Sequence, residues 1–191
     1  DQQLVHYGLQ IVKKRDEVVK RIALITNNIH KIITQDKENM ELTYVPSVKI
    51  NNTGQAEEEY FLQKLKENRK LEILRGITLY GPHRDDLSIV INGTDLKAFG
   101  SQGQQRTSAL SLKLSEIEFL KEESGEYPIL LLDDVMSELD LERRKFLLNL
   151  VSGQVQTFIT STGLHDLVEQ ITHKAKVFET SAGNISIIQE E

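Results

Sequence analysis

Two adjacent carboxylates, Asp133 and Asp134, directly follow a continuous apolar run, Ile129-Leu130-Leu131-Leu132. Such a run is the pattern of a strand buried on both faces. In an α/β layer a buried strand delivers its next residues to the carboxyl edge of the sheet, where ligands bind. Two neighbouring carboxylates there repel each other unless a cation or a reaction needs them. The expected chemistry is that one holds Mg²⁺, usually through water, and the other positions or activates an attacking water. The same residues also read as a strand followed by the capping acid of a helix.

A second group is Ser101-Gln102-Gly103-Gln104-Gln105-Arg106, placed before an amphipathic helix. A serine and a glycine at a helix N-terminus offer a hydroxyl, backbone N–H groups and the positive end of the helix dipole, a ready anion site. Gly103 would let the backbone approach a phosphate where a Cβ would obstruct it. A polar loop with an N-cap accounts for the same residues. A third group, Ser137-Glu138-Leu139-Asp140, falls four residues past Asp133, between the strand and the next helix. Alone it reads as a capped helix start.

The elements that must carry these groups are legible from periodicity. From Leu4 to about Lys37 there is no proline and one glycine, Gly8. Apolar residues at Val5, Leu9, Val12, Val19, Ile22, Ile29 and Ile33 recur in steps of three, four and seven, which predicts one long amphipathic helix. Its middle is basic, with Lys13, Lys14, Arg15, Lys20 and Arg21. That is either a solvated face or a contact for a phosphate backbone. Leu42 to Ile50, with Pro46, suggests a short edge strand. Glu57 to about Arg75 predicts a second helix, with Phe61, Leu65 and Leu74 as packing residues. Ile77 to Tyr80, Leu87 to Ile91 and a piece near Leu96 read as strands, with Asn92-Gly93 as a hairpin turn. Gln104 to about Glu123 reads as a helix with Leu110, Leu114 and Ile117 on one face. Leu141 to Val151 reads as another helix and Val155 to Ile159 as a strand. Lys176 to Phe178 and Ile185 to Ile188 read as final edge strands. Strands alternating with helices predict an α/β fold. The organisation expected is a mostly helical arm over residues 1–76 and a lobe over 77–191 that carries the chemistry.

Composition narrows the classes. The chain has 191 residues, 39% hydrophobic and 27% charged, with a net charge of −6. Those values predict a globular chain and argue against a basic surface over the whole molecule. There is no cysteine, which excludes disulfides, thiolate metal sites and cysteine nucleophiles. No apolar run approaches the roughly 20 residues that span a bilayer, so a cytoplasmic location and no membrane partner are expected.

In this order and spacing, the serine–glycine group, a helix, an apolar strand ending in paired acids and a Ser-x-x-Asp turn resemble the C-terminal lobe of ABC-type ATPase heads. The likeness is greatest to the SMC-like branch. Within it, Gly81-Pro82-His83-Arg84-Asp85-Asp86-Leu87, Phe99-Gly100-Ser101-Gln102-Gly103-Gln104-Gln105-Arg106-Thr107 and Leu131 to Asp140 resemble the RecF family of DNA repair and recombination proteins. The resemblance implies a helical lever arm for the N-terminal part and a signature loop, a Walker B strand and a D-loop for the rest. It implies that Asp133 coordinates Mg²⁺ through water and that Asp134 is the catalytic carboxylate orienting the attacking water. Ser101 and Gly103 would contact the γ-phosphate of ATP held by the opposite subunit, with Gln102, Gln104 and Arg106 in the same loop. Ser137 and Asp140 would form the D-loop. Thr160 and Thr162 would stand at the switch position, where many such ATPases place a histidine; His165 lies further on. Arg84 would be a structural or nucleotide-state coupling residue, and Asp85-Asp86 a turn at a strand start. The partners implied are DNA, as duplex or as a single-strand/duplex junction, a RecR-like mediator protein, and a second copy in the ATP state.

A P-loop needs G-x-x-x-x-G-K followed by Ser or Thr, and no glycine of this chain precedes a lysine. The expectation is a part of a longer protein, silent in ATP hydrolysis by itself, whose whole form is a slow ATPase that loads recombinase at single-strand gaps. The competing reading is a non-catalytic protein- or DNA-interaction module with an SMC-like fold.

Overall fold

The structure, a computed structural model, describes residues 1–49, 55–162 and 175–189. The chain forms two compact units, Asp1–Phe119 and Leu120–Glu191.

In the first unit, helix α1 spans Gln2–Thr34. It ends where Gln35 adopts a left-handed conformation (φ 53°) and the N–H groups of Gln35 and Asp36 bond back to Ile32 and Lys31. That closure satisfies carbonyls the last turn would leave without partners. Helix α2 spans Gln55–Arg75. Val5 and Leu9 of α1 form a core with Val48, Phe61 and Leu65, and Leu62 and Tyr80 pack against it. Gly8 makes the helix approach possible: a Cβ there would stand 2.9 Å from the Phe61 ring. Leu74 does not join this core and is 82% exposed. It is nine residues past Leu65, which puts it on roughly the opposite face at 3.6 residues per turn.

Strand β1 (Met40–Val45) pairs antiparallel with β2 (Asp86–Ile91), and β2 pairs with the short β3 (Thr94–Asp95), in the order β1-β2-β3. The edge strand expected near here starts two residues earlier than its first predicted residue and stops before Pro46, which has no N–H for a ladder. Alternate residues Met40, Leu42 and Tyr44 point inward. Asn92 and Gly93 both have positive φ, 49° and 80°, which gives the hairpin turn its primed geometry. The piece near Leu96 is a helical turn, α3 (Leu96–Phe99), and not a strand. Asp95 caps it by accepting from the Ala98 N–H at 2.7 Å, which ends the strand. Ile77 to Tyr80 is irregular rather than a strand. Its backbone groups are met by side chains: Thr78 O accepts from His83 and Arg84, and Leu79 N donates to Glu72. With those partners it does not need a ladder.

Because β1 lies in a sheet with β2, the helical arm expected over 1–76 shares its strand with the segment beyond residue 77. Helix α4, Gln102–Ser124, buries Leu110, Leu114 and Ile117, the face the spacing predicts.

In the second unit, β4 (Leu130–Leu132), helix α5 (Leu141–Val151) and β5 (Thr157–Ile159) follow one another, and the two strands are parallel, with Leu132 opposite Ile159. Leu147, Leu148, Val151, Met136 and Leu139 are buried. β6 (Val177–Ser181) and β7 (Asn184–Gln189) form an antiparallel hairpin. The apolar run before the paired acids is not covered on both faces by the described residues. Leu132 is buried, but Ile129 and Leu131 are exposed, as is Phe158, the register partner of Leu131.

Phe61 carries the largest buried side chain of the α1–α2 core. Phe61→Ala is expected to lower the unfolding free energy of the first unit by about 3–5 kcal/mol. Urea denaturation followed by helical circular dichroism measures this; an unchanged midpoint would remove Phe61 from the core.

Candidate nucleotide and metal site

The serine–glycine group is built at the start of α4. The expected loop is shorter than predicted, because the helix already begins at Gln102 and takes in Gly103, Gln104 and Arg106. Ser101 is its cap, and the cap is reciprocal. Ser101 Oγ accepts from the Gln104 N–H at 3.2 Å, and Ser101 N–H donates to Gln104 Oε1 at 3.0 Å. This is a capping box with glutamine at the third position. The N–H groups of Gln102 and Gly103 find no acceptor among the described residues, as the first amides of a helix require an outside partner. They and the Ser101 hydroxyl lie at the positive end of a long helix.

Two glycines frame this turn for different reasons. A Cβ on Gly100 would sit 2.5 Å from the carbonyl oxygen and a side-chain methyl of Leu96. Gly100 is therefore fixed by packing against α3. A Cβ on Gly103 would meet only the Ser101 hydroxyl, at 3.9 Å. Nothing among the described residues requires glycine there. The sequence reading singled out Gly103 and missed Gly100, whose need arises only from the turn Leu96 makes.

The paired acids lie at the carboxyl edge of the parallel pair β4–β5. Thr160 N–H donates to Leu132 O at 2.9 Å, which continues the strand pairing one step beyond β5. This brings the Thr160 side chain to both acids. Its hydroxyl donates to Asp133 Oδ1 at 2.6 Å and accepts from the Asp134 N–H at 3.0 Å. Asp134 is in the left-handed region, φ 52°, a conformation that Asp tolerates better than most residues. Ser137 Oγ closes the turn onto Asp134 O at 2.8 Å. The carboxylates of both acids are exposed. Asp133 Oδ2 and the Asp134 carboxylate have no hydrogen-bond partner among the described residues.

This donor set fits Mg²⁺ held through water better than Mg²⁺ caged by protein. No three His, Asp or Glu groups converge among the described residues, and Mg²⁺ commonly keeps several waters with one or two carboxylates. Asp133, oriented by Thr160 with one oxygen left over, is the residue that would hold it. Thr162 is exposed and makes no such bond, and His165 lies outside the described residues. Asp140 caps α5: it accepts from the Arg143 N–H at 2.9 Å and ion-pairs with the Arg143 guanidinium.

The basic middle of α1 is engaged within the chain. Lys13 pairs with the buried Glu57 at 3.0 Å, Lys14 with Glu17 and Lys20 with Asp16. Arg21 lies over the Phe119 ring. Arg15 donates to Pro82 O and reaches Asp85. Asp85 also accepts from the Tyr44 hydroxyl and from the Ser47 N–H. Burial, with the Asp85 hydrogen bond next, pushes the Tyr44 phenol far up. Asp85 is thus a hub tying α1, β1 and the Gly81–Asp85 turn. Asp86 is exposed beside Lys97, whose hydrogen bond holds its carboxyl below the usual range. Neither acid forms part of a metal cluster among the described residues.

No family model matches the chain. Curated relatives do. It is 49% identical over 183 residues to the DNA replication and repair protein RecF of Natranaerobius thermophilus, covering 92% of this chain and 47% of that protein. It is 46% identical over 186 residues to the RecF of Clostridium novyi, covering 97% of this chain and 50% of that one. A solved structure of the recombination mediator protein RecF in the RecFOR pathway, RecF-ATPrS, superposes with a TM-score of 0.82 at 36% identity, over 99% of this chain and 49% of that chain. By sequence and by fold the chain belongs to the RecF family. It spans about half the length of the RecF proteins it matches. The α/β class expected from the alternation of elements is the fold of these RecF structures, which are ABC-type ATPases. A second RecF structure, RecF-ATP, aligns with a TM-score of 0.79.

The two glycines give a test in the chain alone. Gly100→Ala is expected to destabilise it by about 1–3 kcal/mol through overpacking. Gly103→Ala is expected to be neutral or stabilising by up to about 1 kcal/mol, from helix propensity. Thermal unfolding of the two variants side by side decides; equal losses would mean that Gly103 also packs inside the chain.

Proposed function

We propose that this chain is the signature- and Walker B-bearing part of a RecF-type DNA repair and recombination ATPase, working by ATP-driven dimerisation. The observation that carries the reading is the α4 N-terminus. Ser101 and the amides of Gln102 and Gly103 present donors outward, at a glycine that packing among the described residues does not need. A phosphate offered by a second copy is what such a turn would bind. Ser101, Gln102, Gly103, Gln104 and Arg106 would form that surface, with Gln104 and Arg106 in support. Asp133 would hold Mg²⁺ through water, and Asp134 would orient the attacking water. Thr160, at the switch position, would fix both acids, and Thr162 would stand beside it. Ser137 and Asp140 would lie at the dimer contact. Bound Mg²⁺ would neutralise charge that develops on the phosphates.

The arm would be the lever that couples this event to partners. These would be DNA, as duplex or as a junction, and a RecR-like mediator, with recombinase loading at single-strand gaps as the outcome. The cations Lys13, Lys14, Arg15, Lys20 and Arg21 are weak candidates for the DNA contact, since each has a partner in the chain. The ATP would be held by a P-loop supplied from outside this chain, so the chain alone would not hydrolyse it. A cytoplasmic location fits; no helix among the described residues is long and apolar enough to cross a membrane.

In a protein of full RecF length carrying this chain, Ser101→Arg is expected to abolish ATP-dependent dimers while monomer nucleotide affinity stays within about threefold. Asp134→Asn is expected to slow hydrolysis by at least about tenfold and leave the dimers long-lived. Sedimentation and single-turnover hydrolysis measure both. Normal dimers with Ser101→Arg would favour the non-catalytic interaction module.

Thr160 can be tested separately. Thr160→Val removes both bonds to the acids, and Thr160→Ser keeps them. The valine variant is expected to hydrolyse ATP at least about tenfold more slowly, the loss of about one charge-assisted hydrogen bond, with the serine variant close to the parent. Equal rates for the two would mean that the hydroxyl does not orient the acids.

A further inference from the structure

A side-chain relay runs from the interior of α1 to the cap of α4. His30 is fully buried. Its Nδ1 lies 3.0 Å from Ser111 Oγ of α4, and its Nε2 lies 3.0 Å from Glu38 Oε2. Glu38 Oε1 in turn accepts from Gln104 Nε2 at 3.0 Å. The other end of the same amide, Gln104 Oε1, accepts from the Ser101 N–H. All five residues lie in the first compact unit.

Glu38 is itself held in place. It sits in the short connection between α1 and β1, and that connection is pinned on both sides. Asn27 accepts from Met40 N and donates to Asn39; Asn39 N donates to Asn92 Oδ1, and Asn92 Nδ2 donates to Lys37 O. A displacement of the last two turns of α1 therefore moves His30 and Glu38 together. It reaches the signature turn through one amide that cannot satisfy Glu38 and Ser101 in any other orientation. Hydroxyls extend the seam further along α1, where Thr26 Oγ1 lies 2.7 Å from Ser115 Oγ. A polar seam of this kind has directional partners, unlike an apolar one, and so resists a rigid-body slip until its bonds exchange.

We propose that His30 and Glu38 are positioning residues for the signature turn: they fix the Gln104 side chain, and through it Ser101, so that the state of the long helix sets the competence of the turn for a phosphate. This rests on the reading of Ser101 as a phosphate contact between copies. Neither residue touches the nucleotide in it.

The relay has a polarity that can be reversed. In the protein as it stands, an acid at position 38 accepts from an amide at position 104. The double exchange Glu38→Gln with Gln104→Glu swaps the two groups. His30 would then donate to the carbonyl oxygen of the introduced amide, and the NH₂ of that amide would donate to the introduced carboxylate. That carboxylate would still accept from the Ser101 N–H. Gln104→Glu alone sets two carboxylates against each other. It also places an acid at the third helical position, which by itself favours the cap. A role confined to local helix stability thus predicts gain or no change for that variant, whereas the relay predicts loss.

The experiment uses the protein of full RecF length and compares the parent, Gln104→Glu, the double exchange and Ser101→Arg for ATP-dependent dimerisation by sedimentation and for nucleotide affinity of the monomer. Gln104→Glu is expected to weaken dimerisation by about tenfold, as for one lost charge-assisted hydrogen bond. The double exchange is expected to recover to within about threefold of the parent. Normal dimerisation by Gln104→Glu, or no recovery in the double exchange, overturns the relay. If Gln104→Glu fails to fold, the double exchange alone decides, because it must both fold and dimerise. Dimers unaffected by Ser101→Arg would instead remove the phosphate reading, a result distinct from failure of the relay.

Discussion

A buried imidazole needs a partner at each nitrogen, because an unsatisfied polar atom in the interior costs about 1–3 kcal/mol. His30 imposes that requirement on the first unit. One nitrogen fixes Ser111, and with it the rotation of α4 about its axis. The other fixes Glu38, and with it the path of the chain from α1 into β1. Glu38 then settles Gln104, and Gln104 settles the cap at Ser101. The orientation of the turn at Ser101 follows from how one polar side chain is buried some seventy residues earlier in the chain.

The two chemical groups are held by different devices. The turn at Ser101 is a helix cap, stabilised locally by the reciprocal Ser101–Gln104 bonds and fixed in place by Gly100 against Leu96. The paired acids are a strand-edge feature. Parallel pairing carries Thr160 alongside Leu132, and the Thr160 hydroxyl orders one acid through its carboxylate and the other through its backbone. In both places a hydroxyl or amide side chain determines how the turn is held. In both, donors or acceptors face outward with no partner among the described residues.

The apolar surface tells a related story. Leu131 and Phe158 lie side by side on the parallel pair and are exposed within the described residues. On α1 and α2 the exposed leucines and isoleucines, Leu24, Ile32 and Leu74 among them, are scattered over several faces. Single exposed apolar residues are ordinary on a protein surface. A register pair on a strand that reads as a buried run is less so, and the described residues leave Leu131 and Phe158 uncovered.

By itself the sequence determined what depends on nearest neighbours along the chain. The 3.6-residue spacing of Val5, Leu9 and Val12 sets the length and buried face of α1. Asn92-Gly93 sets a turn that needs two positive φ angles. Ser101 three residues before Gln104 sets a helix start, and the run ending in Asp133-Asp134 sets a strand edge. The order of those motifs was enough to point to RecF. Tertiary structure alone decided which groups meet. The apolar pattern of Ile77 to Tyr80 does not mark it as irregular, because its hydrogen bonds come from the side chains of Glu72, His83 and Arg84, five to seven residues away. Nothing local marks Thr160 as the partner of Asp133, 27 residues earlier in the chain. His30, Glu38 and Gln104 carry no shared sequence signature. Their contact exists only because α1, the connection to β1 and the start of α4 converge in space, where directional bonds select one arrangement out of many that the composition would permit.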